Sequence, residues 1–159
     1  MSGWENFLVA LVGASAALAG LVFFGVSINL ARILSSGSLP EYALEALVLL
    51  LAVLVICSLL LVPQPLTAVG IELLLAGLAD TAILLFLLAY TRRKIDPRYY
   101  GYLWFRVALS LCTTLPFAIA GITVLIWNTA GLYWIVPATL LSILVAIYDA
   151  WVLLVEINR

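Results

Sequence analysis

The chain contains no histidine, and only 9% of its 159 residues are charged. Histidine is the side chain most often used as a general base near neutral pH and as a transition-metal ligand. The two cysteines, Cys57 and Cys112, both lie inside long apolar runs, where cysteine is typically a small packing residue. We therefore expect no bound metal, no cofactor and no disulfide.

Common catalytic motifs are also missing. The sequence has no HExxH, GxSxG, GxxxxGK[ST] or CxxC pattern. An intramembrane aspartyl enzyme needs two carboxylates at one depth that share a proton. Asp80 and Asp149 fall at different depths of their apolar runs, so the sequence predicts that the protein is not an enzyme.

The apolar fraction of the chain is 67%, whereas soluble domains are about half apolar and about a quarter charged. Only helices or closed barrels span a bilayer, because every backbone polar group must be satisfied internally. Barrel strands alternate apolar and polar residues, and no such alternation is present. The sequence predicts an all-α, polytopic transmembrane bundle, one domain over 1–159, with about five membrane-spanning helices near residues 7–31, 43–62, 66–90, 103–127 and 133–155.

The basic residues predict the orientation of these helices. With five spans, every Lys and Arg falls on one side, which the positive-inside rule assigns to the cytoplasm. The N-terminus is then outside, the C-terminus inside, and 91–101 is a basic cytoplasmic loop. We expect four residues of this loop to contact anionic lipid headgroups: Arg92, Arg93, Lys94 and Arg98. The net charge of −1 argues against a nucleic-acid partner.

The stretch GASAALAG, residues 13–20, is poor in large side chains. Small residues let helix backbones approach closely in lipid, and Gly13, Ala16, Ala17 and Gly20 recur at helical spacing on more than one face. Three interpretations remain open. Helix 1 packs between two helices of its own chain, forms a homo-oligomeric interface, or lines a pore. In the pore interpretation, Ser15 and Asn29 contribute polar groups.

An ionisable residue at membrane depth is a candidate functional site. Asp80 lies near the middle of the third run, and Thr113 and Thr114 lie at a similar depth in the fourth. Together they predict a polar cluster for a proton, a cation or a file of water, or simply a hydrogen bond between two helices. Glu72 is a further ion-path candidate near the outer end of its run.

Two charged residues near the inner ends of their runs predict a structural ion pair, Arg106 with Asp149. Arg106 is about one turn into the fourth run, and Asp149 is about two turns from the end of the fifth. Glu41 and Glu45 fall in the first turns of the second run, where the helix dipole favours negative charge. We interpret these two as capping residues.

The segments VGASAALAGLVFFGVSINLARIL, LPEYALEALVLLLAVLVICSLLLVPQ and GLYWIVPATLLSILVAIYDAWVLLVEINR resemble a family of small bacterial membrane proteins. Some of its members carry the label "modulator of FtsH protease", a membrane-anchored AAA protease. The resemblance implies a bacterial cytoplasmic (inner) membrane and a regulatory role. It implies no catalytic or binding residue.

Two function classes follow from these patterns. The first is a homo-oligomeric ion channel or pore-forming assembly with helix 1 at its axis. The second is a non-conducting regulatory or scaffold subunit that binds a larger membrane protein partner. A proton-coupled transporter using Asp80 is a third possibility, which the lack of an internal repeat disfavours.

Overall fold

The computed structural model describes residues 3–35, 39–92 and 100–157. These residues form helices and no strand. A 3-10 segment, Asn128–Trp134, joins the last two helices. The α-helices are α1 (Glu5–Ile28), α2 (Leu30–Ser35), α3 (Leu39–Leu61), α4 (Leu66–Arg92), α5 (Tyr100–Trp127) and α6 (Ile135–Ile157).

In the described part of the chain, four continuous helical stretches are long and apolar enough to cross a membrane. Three of them are α1, α3 and α4. The fourth is 53 residues long, and the 3-10 segment divides it into α5 and α6. With 28 and 23 residues, each of these helices exceeds the ~20 residues that span a bilayer core. The predicted all-α membrane fold with about five long helices is confirmed.

The helix boundaries agree with the predicted runs to within about one turn, with one exception. The first run was expected to continue as helix to residue 31, but α1 ends at Ile28 and a second helix begins at Leu30. Asn29 interrupts it with φ −105° and ψ 17°, and its Nδ2 donates to the carbonyl of Gly25 at 3.0 Å. An asparagine that bonds its own backbone competes with the helix ladder.

Four helices form a closed ring in which α3 packs on α4, α4 on α5, α5 on α6, and α6 again on α3. In this four-helix ring, α3 and α5 face each other across one diagonal. Helix α1 lies outside the ring and packs chiefly on α3, with a slight contact to α6. Its buried face consists of Leu8, Leu11, Ser15 and Ala19.

The closest helix pair is α4 with α5, and glycines permit the approach. A Cβ placed on Gly77 would lie 2.6 Å from the backbone nitrogen of Ala118, and one on Gly121 would lie 2.5 Å from that of Leu74. A Cβ on Gly70 would lie 2.7 Å from Cγ of Leu125, so the leucine side chain would have to shift to accept it. Packing of small residues is the main route to helix association in lipid, and here it joins two helices of one chain.

The two ends of the bundle differ in character. At one end, the ring of Trp4 makes an edge contact with Tyr133, with centroids 5.2 Å apart. At the other end, Ile33 of α2 packs in a buried cluster with Tyr42 and Leu153. The basic residues Arg32 and Arg92 belong to this second end, where α2 lies and α4 terminates. The positive-inside rule still predicts that this end is cytoplasmic.

Candidate functional site at the centre of the bundle

A buried ion pair crosses the diagonal of the four-helix ring. Arg106 on α5 binds Oε2 of Glu45 on α3 through its Nη2. Less than a tenth of either side chain is exposed. The guanidinium carbon of Arg106 also lies 4.0 Å from the ring centroid of Tyr42, which is a cation–π contact. The cation is therefore solvated by protein groups from the opposite helix.

Ser110, one turn after Arg106 on the same face of α5, continues this polar cluster. Its hydroxyl donates to Oε1 of Glu45 at 3.0 Å. Its backbone carbonyl accepts hydrogen bonds from the hydroxyls of Thr113 at 2.7 Å and Thr114 at 3.0 Å. All three hydroxyl residues are buried. Ser110 thus connects the ion pair to the threonines that the sequence identified as ion-path candidates.

Asp149 brings a second carboxylate from α6. It is only 3% exposed and lies within electrostatic range of both Glu45 and Arg106. Its Oδ2 is buried and accepts no hydrogen bond. The sequence predicted Arg106 and Asp149 as the ion pair, whereas the arginine contacts Glu45 instead. The central cluster, defined as Glu45, Arg106, Ser110 and Asp149, therefore contains one more carboxylate than its arginine can neutralise.

Asp80 lies on α4, further along the bundle. The glycine contacts fix the antiparallel register of α4 and α5, since Gly77 meets Phe117 and Ala118. One turn beyond Gly77, this register brings Asp80 level with Thr114. The carboxylate is 5% exposed, and its Oδ2 has no hydrogen-bond partner.

Asp80, Thr113 and Thr114 lie at a similar depth of the bundle, as expected. They are not joined by direct hydrogen bonds. Both threonine hydroxyls donate to the Ser110 carbonyl, which is the usual way a helical threonine satisfies its donor in an apolar setting. The structure therefore does not contain the hydrogen bond between Asp80 and these threonines that the sequence analysis considered.

Glu45 and Ser110 are the functional candidates that the sequence analysis missed. Glu45 was interpreted as an N-terminal cap, yet it is 3% exposed and points into the ring. Two sequence spacings could have identified these residues. Glu45 shares a face with the buried positions Tyr42, Ala46 and Leu49, and Arg106 and Ser110 are four apart on one face of α5.

The small residues of α1 occupy a different environment from the one expected. Gly13, Ala16, Ala17 and Gly20 all point away from the bundle, and a Cβ on Gly13 or Gly20 would meet no atom within 4 Å. Packing of this face between two helices of the same chain is therefore wrong. The Ser15 side lies against the bundle instead, where its hydroxyl donates to the Val12 carbonyl at 3.2 Å.

A groove of about 400 Å³ separates the second half of α1 from α6. Leu18, Val22 and Gly25 line one wall, and Ala146 and Ala150 line the other. Asn29 lines the end of this groove, so its side chain faces an apolar cleft rather than the central cluster.

The remaining predicted residues lie away from the centre. Glu72 accepts a hydrogen bond from Nε2 of Gln64 at 2.6 Å, close to the tight turn between α3 and α4. Arg92 is exposed at the end of α4. Arg93, Lys94 and Arg98 lie outside the described residues, and their contact with lipid headgroups stays a prediction.

The apolar helices and their buried ionic centre define a small integral membrane protein with a helical bundle. No family model matches the chain, and no curated protein or solved structure matches it either. The chemistry of the central cluster is therefore the main indication of function.

Proposed function

We propose that this protein is a small ion channel whose path runs along the inner face of α5. The observation that carries the proposal is Ser110, which bonds the ion pair through its hydroxyl and the two threonines through its carbonyl. Charged groups at membrane depth are costly and are typical of ion and proton pathways. A purely structural bundle would be expected to fill these positions with apolar residues.

The polar path covers a substantial part of the membrane. Thr114 and Arg106 are eight residues apart on α5, which is about 12 Å of a hydrocarbon core of about 30 Å. Asp80 lies level with one end of this segment, and Glu45 and Asp149 lie at the other. An ion that enters at the basic end would meet carboxylate groups at two successive depths.

This path differs from a pore along helix 1. Arg106 and the buried carboxylates of the path belong to α3, α4, α5 and α6, and α1 lies outside their ring. A role for α1 as the contact between copies of the chain remains part of the proposal. It is supported by the outward direction of Gly13, Ala17 and Gly20, because small residues favour close helix contacts in lipid.

A second candidate is a non-conducting subunit that binds a larger membrane protein partner. The same outward face of α1 favours it, since a partner helix would fit there as well as a second copy. In that case the central cluster holds the bundle together and moves no ion. A search for one dominant partner in the native membrane, by purification in several mild detergents, separates this candidate from the channel.

The direct test is the current across a planar bilayer that contains the purified protein, recorded under a salt gradient and under a pH gradient. Asp80→Asn and Asp149→Asn are compared with wild type, because asparagine keeps the shape and removes the charge. Glu5→Gln is the matched control, since Glu5 is an exposed acid on α1 at the opposite end from Arg106.

We expect current from wild type and Glu5→Gln, and a reduced or altered current from both asparagine variants. Wild-type protein that is folded and correctly inserted but carries no current under either gradient would rule out the channel. Current that neither asparagine substitution changes would place the path elsewhere in the protein.

A further inference from the structure

Building on the proposed channel, we propose that the ion at the central cluster is a proton, and that Asp149 is the group that binds and releases it. The carboxylate of Asp149 takes up one proton at an oxygen and later loses the same proton. No other bond forms or breaks. Glu45 keeps its contact with Arg106 throughout.

The charge balance of the cluster supports this assignment. Arg106 neutralises one carboxylate, and it contacts Glu45 directly. The second carboxylate, Asp149, is 3% exposed and has an oxygen without a hydrogen-bond partner. An uncompensated ion at this depth is expensive. The site therefore needs one more positive charge, which is either a proton or a metal cation.

The ligand supply favours the proton. Calcium takes about six to eight oxygen ligands, and magnesium needs an octahedral set. In the described residues, no group of three or more Cys, Asp or Glu side chains is arranged to hold a metal ion. A proton needs only one carboxylate oxygen, and Oδ2 of Asp149 supplies it.

The surroundings of Asp149 show which groups control this proton. Two charged groups on neighbouring helices act on Asp149: Glu45 of α3 and Arg106 of α5. Helix α1, which also touches α6, has Glu5 as its one ionisable residue, at the far end of the helix.

Proton selectivity is tested by the reversal potential of the planar-bilayer current. We expect the potential to follow the pH gradient and to ignore exchange of Na⁺ for K⁺. Asp149→Asn should lower the proton current about tenfold or more, because asparagine cannot exchange a proton. A reversal potential that follows the salt gradient would overturn the proton assignment and leave the channel proposal intact.

A second measurement judges the proton site independently of conduction. Infrared difference spectra of the purified protein report the C=O stretch of a protonated carboxyl group, and ¹³C labelling of aspartate separates Asp from Glu. We expect an aspartic acid band at neutral pH that loses intensity on going to high pH, and part of which is missing in Asp149→Asn. The same band with full intensity in Asp149→Asn would refute the assignment. Glu5→Gln is again the control.

Discussion

Arg106 on α5 extends across the diagonal of the four-helix ring and contacts Glu45 on α3. Helices α3 and α5 are not neighbours in the ring but face each other across it. The pair links the two sides of the bundle at one depth. Removing one partner of a buried ion pair costs more stability than the intact pair contributes, because the other charge is left buried without compensation.

Breaking this pair on one side should destabilise the protein. We expect Arg106→Met to lower the free energy of unfolding by about 3–5 kcal/mol, since Glu45 is then buried without its cation. The double variant Glu45→Leu with Arg106→Met should recover much of the loss. Thermal unfolding in one detergent, followed by circular dichroism, measures both. A double variant as unstable as the single one would contradict the assignment of the pair.

The hydroxyl of Ser110 has a separate, smaller effect. Ser110→Ala leaves Oε1 of Glu45 without its donor, and we expect a loss of about 1–3 kcal/mol. Ser27→Ala is the matched control, because Ser27 is exposed on α1. Chemical unfolding in detergent compares the two. Equal stabilities of the two variants would show that the bond of Ser110 to Glu45 contributes nothing.

Glycines of the chain fall into two groups that should respond differently to a large side chain. Gly77→Leu should prevent the bundle from forming, because the new Cβ would collide with the backbone of Ala118 and backbone overlap exceeds the ~1–3 kcal/mol typical of overpacked side chains. Gly13→Leu should fold normally, since nothing lies within 4 Å of its Cβ. Size-exclusion chromatography and circular dichroism of the two variants check this contrast.

Substitutions on the outward face of α1 test the contact between copies of the chain. We expect Gly13→Leu and Gly20→Leu to lower the oligomer mass while each chain stays folded, because leucine would separate two closely packed α1 helices. Native mass spectrometry from lipid nanodiscs measures the mass. Unchanged mass in both variants would remove α1 from the interface between copies.

Orientation can be tested with single cysteines at opposite ends of the bundle. Thr129→Cys lies in the 3-10 segment and Ser35→Cys lies at the end of α2, and both positions are exposed. With Cys57 and Cys112 replaced by alanine, a membrane-impermeant thiol reagent should label Thr129→Cys on intact cells and reach Ser35→Cys only after lysis. The reverse pattern would invert the predicted topology.

The helices were predictable because their signal is local. Each apolar run is long enough to span a bilayer, and the described helices follow those runs to within about a turn. The break at Asn29 was missed because it depends on a side chain that bonds the carbonyl of Gly25, a choice that composition does not reveal. The orientation rests on charge counts and stays a prediction.

The central cluster was only partly predictable. Asp80, Arg106 and Asp149 were identified because ionisable residues are rare inside apolar runs. Their partners were not, because pairing across a bundle depends on which helices share a diagonal, and sequence spacing describes only one helix at a time. Glu45 was assigned to a cap for this reason. The environment of the small residues of GASAALAG was unpredictable for the same reason. Their spacing shows that they share faces of α1 but not what packs against those faces.

The seam between α4 and α5 limits how this protein can change shape. At Gly77 and Gly121 the two backbones meet with no side chain between them, so sliding one helix along the other would push a neighbouring side chain into the space that each glycine leaves. This close fit favours movement of the two helices as one unit, which would carry Asp80 and Arg106 together. In the proposed channel, a gate would then open along the two neighbouring seams, where α3 meets α4 and where α5 meets α6.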